Sequence, residues 1–500
     1  MVLRLVALNQ SFWLDEAVQV WASAHFSIKD LLTQYMPWDF NPPLYHILLH
    51  FWIKVFGASE IGVRSLSVLL GIGCIFLIKK IGDKGYGIKD KEIRDKGYEI
   101  KDKRKNLKDL GIGTIAALLL ATSPLHIYYS QEARMYILAC FLVLLATWRF
   151  LIFLERQNWE NSFLFGVSLV LMGFSHFLAL LTVPVFLLFC YKSLRVNGLT
   201  GSRVVKFILP FFLLLCFYLS YSSLLLKQLK TGMGWTKTYP VWGKTVGSFS
   251  LKGAALLPVK FIIGRISIEN KVIYGIVSVL LVSLFWGLTL KLRVNPPAGG
   301  EELRVELRVK NFRKLVYLML FFPSIVGFLV SFKVPVFSYF RFLFCLPFFY
   351  LAVAIGISRV TSRYPVIGQK RLILGVLVAV NLLCSGVYLF NSKFHREDWR
   401  GAAEWIEEKN KENSPVIILS QISKPLEYYD KGKSHTLFIN GREELGKLDN
   451  KEEEIFLVSY SLPIFDPEDK IREKIRDKGY EIKEGESFRK VGVERWEKKI

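Results

Sequence analysis

The chain has 500 residues, of which 52% are hydrophobic and 14% aromatic, and its formal net charge is +23. A mean hydropathy of +0.32 excludes an ordinary soluble enzyme, and many runs approach the roughly 20 apolar residues that a helix needs to cross a bilayer. Lys and Arg gather in alternate gaps between those runs, as the positive-inside rule expects, so the basic excess does not call for a nucleic-acid partner.

All six cysteines (Cys74, Cys140, Cys190, Cys216, Cys345, Cys384) lie inside apolar runs without CxxC or disulfide-framework spacing, and read as small core residues. No cleavable signal peptide is evident.

In chain order, residues 1–8 (MVLRLVAL) are apolar but would span only about 12 Å as helix. They read as the stub of a truncated or mis-called first spanning helix, which predicts about 10–15 further apolar residues encoded upstream in frame. Residues 11–45 follow, with adjacent carboxylates at Asp15 and Glu16, an aromatic-rich run, Asp39, and the turn Asn41-Pro42-Pro43. This stretch is polar enough to lie outside hydrocarbon and aromatic enough to lie against the interface, as a catalytic loop on the membrane surface would. Residues 43–56 suit an amphipathic helix in the interface, ended by Gly57.

Ten complete spans are expected, at 60–81, 111–127, 136–154, 163–175, 177–191, 207–226, 272–290, 315–332, 342–357 and 372–390. The gap at 83–109 is a basic, low-complexity insertion whose octet RDKGYEIK (94–101) recurs at 476–483. A second insertion-like loop lies at 291–314. Both are expected to be cytoplasmic, like the basic loops 192–206 and 359–371. The opposite side then receives SPLHIYYSQEARMY, a long polar loop at 227–258 with Trp235, Tyr239 and Trp242 as interfacial anchors, and a turn at 333–341.

From residue 391 the composition becomes polar. A helix at 399–409 capped by Glu397-Asp398, strands at 416–420 and 454–460, and a helix at 466–477 imply a small α/β domain on the same side as the opening loop. Three regions result: 1–58, 59–390 with insertions at about 82–110 and 291–314, and 391–500.

Topology brings Asp15, Glu16, Asp39, Glu132, Arg134, Tyr136, His176 and Arg341 to one level. Ionisable groups at spanning-helix ends are functional candidates. A carboxylate or histidine can take a proton from a hydroxyl acceptor, and arginine suits a departing phosphate. Structural roles compete with these. Asp15 and Glu16 also suit a helix N-terminus, Glu132 and Arg134 a structural ion pair, and Arg341 snorkelling to headgroups. His176 is better read as satisfying a backbone carbonyl in a tight bend. His46 and His50 are four apart, but no third ligand and no HExxH follows, so packing is the better account.

The segments LDEA, NPPLYHILLHFW and GASEIGVRSLS, with ATSPLHIYYSQEARMYIL, SHFLALLTVPVF, SYFRFLFCLPFFYLA and EDWRGAAEWI, together resemble the bacterial branch of the dolichyl-phosphate-mannose–protein mannosyltransferase family. That branch includes lipopolysaccharide-core sugar transferases and lies close to the aminoarabinose transferases. The resemblance covers most of the chain in order; the two basic insertions and the missing first helix depart from it.

The resemblance implies a GT-C fold: a multi-pass α-helical membrane protein with an active site at the extracytoplasmic face of the cell membrane and a small extracytoplasmic α/β C-terminal domain. It implies inverting transfer of a sugar from a polyprenyl-phosphate donor to a lipid, glycan or protein hydroxyl. Asp15 would be the general base and Glu16 its neighbour in the acceptor site, with Asp39 and Asn41 also on the acceptor side. Glu132, Arg134, Tyr136 and His176 would line the donor side, and Arg341 would lie near the phosphate. No metal ligand set is assigned, and a divalent-metal requirement stays open. No glycine loop in a strand-turn-helix context suggests a soluble nucleotide cofactor. The competing class is a transporter or flippase for lipid-linked sugars, which would place its ionisable groups near the bilayer midplane.

Overall fold

A computed structural model describes residues 1–86, 110–197, 200–247, 249–290, 300–363, 369–447 and 452–499. Most of the first basic insertion, its copy of the octet, and part of the second insertion lie outside these residues.

Among the described residues, seven helices are long and apolar enough to cross a membrane: Glu60–Gly85, Met135–Glu155, Phe177–Val196, Gly201–Thr238, Lys271–Thr289, Lys310–Val330 and Gln369–Phe390. A bent pair, Ile112–Thr122 and Pro124–Ser130, makes an eighth if counted as one span. The expected ten is therefore too many by this measure. The other two are helices at the expected places, Trp159–Ser175 and Leu343–Ser358, but they are short.

The span expected to run unbroken over 111–127 turns by 65° at Ser123. Pro124 lacks an N–H and pushes Ser123 into an extended conformation (ψ 122°), and the Ser123 Oγ then accepts from the His126 N–H to start the next helix. The break strands carbonyls at the end of the first piece. Arg4 covers two of them: its guanidinium donates to the carbonyls of Ala121 (3.0 Å) and Leu120 (3.4 Å), and it also contacts Ser130 and His126. Residues 1–8 accordingly do not form a helical stub. Val2–Arg4 is a single 3-10 turn with Arg4 fully buried.

A second correction concerns 227–258, expected as a polar loop. The 38-residue helix Gly201–Thr238 runs on into it as far as Thr238, and Pro240–Gly247 and Leu251–Ile263 follow as further helices. Polar side chains do not end a helix, and from residue 227 onward no proline occurs until Pro240. His176 does sit in a tight bend, extended (φ −162°) between Trp159–Ser175 and the 3-10 turn Phe177–Thr182.

The C-terminal domain holds a five-stranded sheet of order β2-β1-β3-β5-β4, with β1 (Val416–Leu419), β2 (Thr436–Ile439), β3 (Glu454–Val458), β4 (Tyr480–Phe488) and β5 (Val491–Lys498). β1 pairs parallel with β2 and β3, while β5 pairs antiparallel with β3 and β4. The helix Trp399–Lys409 lays Trp399, Ala402, Ala403 and Ile406 on a core containing Ile418, Phe456 and Trp496, and Asp398 caps it through the Gly401 N–H as expected.

The domain is tied to the helical bundle at one end. Tyr429 Oη accepts from the Phe12 N–H (2.8 Å) and donates to Glu60 (2.8 Å), Tyr428 Oη donates to the Ala58 carbonyl (3.1 Å), and Arg400 pairs with Glu60.

Candidate active site

The site starts where α1 (Leu14–His25) begins after the extended Trp13. Asp15 and Glu16 both fall in the first turn, where negative charge meets the helix dipole favourably. Successive helical residues diverge by about 100°, and here the divergence separates two environments.

Asp15, with its side chain 41% exposed, faces a cavity and pairs with Arg134 at 3.4 Å. Glu16 is fully buried. Its carboxylate accepts from Arg64 Nε (2.9 Å) and Nη2 (2.6 Å) and from the Ala133 N–H (2.8 Å), and lies 3.3 Å from Arg396. Burial alone would push Glu16 up, but the charges and bonds of Arg64 and Arg396, with the Ala133 amide, hold it below the usual carboxylate range. The expectation that Glu16 lies beside Asp15 in the acceptor site is corrected: it is a buried counterion that knits α1 to the Glu60–Tyr86 helix and to the linker at Arg396.

Glu132 shares that network through Arg396 (3.3 Å). Its burial, opposed by Arg396 and reinforced by Glu16, pushes its carboxyl up to about 7. Two carboxylates near one guanidinium are unequal: the one with two arginines stays ionised and the other holds its proton longer.

The cavity beside Asp15 has a volume of about 500 Å³ and is lined by Asp15, Asp39, Asn41, Glu132, Arg134, Tyr136 and Arg341 of the expected set. Arg134 Nη1 reaches the Asp15 carbonyl and Gln19, each at 3.4 Å. Arg341 donates to the Pro335 carbonyl (2.7 Å). Asp39 accepts from the Asn41 backbone (2.8 Å) and side-chain amide (2.9 Å) and meets His46 at 3.2 Å. Burial would raise Asp39, but the hydrogen bond and charge of His46 prevail and hold it low. His176 does not line the cavity; it is buried behind Tyr136, with ring centroids 6.1 Å apart.

Other lining residues were not singled out from the sequence as site residues. Arg265, just after Gly264 at the end of Leu251–Ile263, hydrogen-bonds the Tyr128 hydroxyl and stacks over its ring at 4.7 Å. A lone arginine in an apolar stretch (IIGRIS) was the available signal. Trp235 and Trp242, expected as interfacial anchors, stand on the cavity wall beside Phe40 and Trp38. The C-terminal domain adds Gln421, Tyr460, Ser461, Ile464 and Phe465. The pocket is thus polar and charged at its base with an aromatic rim, a combination that suits a sugar carried on a phosphate.

His46 and His50 take separate partners, His46 with Asp39 and His50 with the Ser23 carbonyl (2.9 Å). One group among the described residues has metal-ligating spacing: Cys74, His126 and Cys140, whose ligand atoms lie within 4.8 Å of one another. Arg4 Nη2 lies 2.6 Å from His126 Nδ1. A guanidinium only donates, so Nδ1 accepts and the proton sits on Nε2, which leaves neither nitrogen free for a metal. That tautomer, with a buried cation alongside, opposes a metal ion.

These features are those of a multi-span membrane protein with the GT-C fold, the fold that the resemblance in the sequence implied. Residues 42–199 match the family model of the protein O-mannosyl-transferase TMEM260 N-terminal domain. ArnT from Cupriavidus metallidurans is similar over 99% of this chain and 96% of its own, with a TM-score of 0.54 and 11% identity, both in its apo state and bound to undecaprenyl phosphate. The arabinofuranosyltransferase AftD from Mycobacteria aligns with 99% of this chain and 39% of its own, at a TM-score of 0.50 and 13% identity. No curated protein matches by sequence.

Proposed function

We propose that the protein transfers a sugar from a polyprenyl-phosphate donor to an acceptor hydroxyl, with inversion, at the extracytoplasmic face of the membrane. The observation that carries this is the single cavity in which Asp15, half-exposed and paired with Arg134, stands among Arg341, Arg265 and an aromatic rim. Asp15 takes the acceptor's proton as its oxygen bonds to the anomeric carbon; the bond from that carbon to the phosphate oxygen breaks, and the electron pair leaves with the phosphate. Arg265, Arg341 and Arg134 meet the charge that develops there. Asp39 and Asn41, stiffened by their mutual hydrogen bonds, form a wall on the acceptor side. Trp38, Trp235 and Trp242 offer ring faces to sugar. A transporter would want its ionisable groups at mid-depth; here they gather at the end that carries the C-terminal domain. ArnT holding undecaprenyl phosphate lends support from a shared fold.

The test is Asp15→Asn in membranes supplied with a labelled polyprenyl-phosphate hexose and an extract of envelope acceptors. Transfer is expected to fall by about 10²–10⁴-fold, the usual contribution of a general base. Unchanged transfer removes Asp15 from that role.

A further inference from the structure

Basic side chains also collect at the end of the bundle away from the cavity. Lys80 follows Glu60, which is held by Arg400 of the C-terminal domain, by 20 residues of one unbroken helix, Glu60–Tyr86. Arg149 follows the cavity residue Arg134 by 15 residues, along Met135–Glu155. At about 1.5 Å per residue these intervals come to about 30 and 22 Å, which sets both cations toward the far edge of a hydrocarbon layer about 30 Å thick.

The two cations converge on one indole. Lys80 Nζ lies 4.9 Å and the Arg149 guanidinium 4.8 Å from the centroid of the Trp148 ring, and the Lys80 contact crosses between neighbouring helices. A ring face attracts a cation without neutralising it. The pair is therefore less than about 10 Å apart, where like charges repel and an anion between them is favoured. The nearby acids are engaged elsewhere, Asp83 with Lys79 and Glu155 with Lys84. Among the described residues neither Lys80 nor Arg149 has an acidic partner. Lys192 and Arg195 are arranged differently, each stacked on a ring of its own helix, Phe189 and Tyr191.

The same seam is apolar on its way to the cations. Leu69, Phe76 and Lys80 are all exposed and share one helical face. Phe141 and Trp148, both half-buried, run along the facing helix. Gly73, between Leu69 and Phe76, is where the two helices close, since a Cβ there would meet the Phe141 ring at 2.7 Å. An exposed apolar track ending in two unmatched cations has the polarity of an anionic lipid, with acyl chains along the helices and a phosphate at their end.

We propose that this seam binds one anionic phospholipid, whose phosphate accepts from Lys80 and Arg149 and whose acyl chains lie on Phe76 and Leu69. The site is separate from the cavity beside Asp15 and stands whether or not the chain transfers sugar.

The experiment titrates the full chain in detergent micelles with dioleoyl phosphatidylglycerol and counts bound lipid by native mass spectrometry, with dioleoyl phosphatidylcholine as the zwitterionic control. Lys80→Met with Arg149→Met removes both charges and keeps long side chains on the Trp148 ring. The first phosphatidylglycerol is expected to bind about 30-fold more weakly, each cation at an anionic membrane surface being worth about fivefold. Lys80→Met alone, at an exposed position, should cost about fivefold, and carries the test if the double variant does not fold. Lys80→Arg with Arg149→Lys should bind as the wild type does. Lys192→Met with Arg195→Met removes the same charge from another helix and should leave the affinity unchanged. Equal affinity of wild type and the Lys80 variants overturns the proposal. So does an equal loss in the Lys192 and Arg195 variant, which would make the attraction a diffuse property of the basic end. Wild-type binding of phosphatidylcholine as tight as that of phosphatidylglycerol overturns it as well.

Discussion

Asp15 and Glu16 are neighbours in sequence with opposite fates. Glu16 disappears into a cage of two arginines and a backbone amide, while Asp15 opens onto a cavity with one weakly held arginine. The difference teaches that an acidic pair at a helix start is two instruments: one side chain turned inward holds the scaffold, and the next, about 100° around, is left available for chemistry. A buried charge is costly unless fully matched, so the inward residue acts on folding; a half-exposed one barely contributes to folding.

The largest expected effect breaks the scaffold side. Glu16→Gln leaves Arg64 and Arg396 without their shared counterion and should cost about 3–5 kcal/mol, read as a steep drop in Tm or loss of a monodisperse peak in detergent. Asp15→Asn should change stability by no more than about 1 kcal/mol; if it unfolds the protein as readily as Glu16→Gln, the contrast is gone.

Glu132 sharpens the same contrast through pH. A carboxyl whose pKa is raised in the fold favours the protonated form, so its contribution to stability is complete below the ordinary value of 4.5 and is lost as the pH rises through about 7. Wild-type Tm should therefore decline between pH 5 and 8 more than that of Glu132→Gln, which cannot ionise. Parallel curves would show that Glu132 is charged throughout.

A smaller effect is expected from Trp242→Ala on the rim, about 0.5–1.5 kcal/mol of lost ring contact. It should appear as a raised KM with kcat little changed. The smallest is Lys433→Ala, whose exposed pair with Glu407 should be worth within about 1 kcal/mol, vanishing in salt.

The spanning helices were legible because a bilayer imposes one length and one polarity on them. Asp15, Arg134 and Arg341 were legible because charges beside apolar runs are rare. What escaped had local signals pointing elsewhere. Lys227 to Thr238 is polar and reads as loop, yet polarity says nothing against helix once a helix is already running. β4 is charged and mostly exposed (KEGES), with an Arg-Lys turn in place of Asn-Gly, so neither the alternation nor the turn signature was present. The direction of Glu16 could not be read either, since it depends on Arg64 and Arg396, 48 and 380 residues away, arriving at the same place.

The cavity beside Asp15 draws Trp13 from one end of the chain and Tyr460, Ser461, Ile464 and Phe465 from the other. During translation those parts are made far apart in time, so a ribosome inserts every spanning helix before the chamber acquires its last wall. An unfinished chain would therefore sit in the membrane with a hollow lacking that wall, and on the proposed function sugar phosphates would be handled only by molecules whose synthesis has run through the sheet.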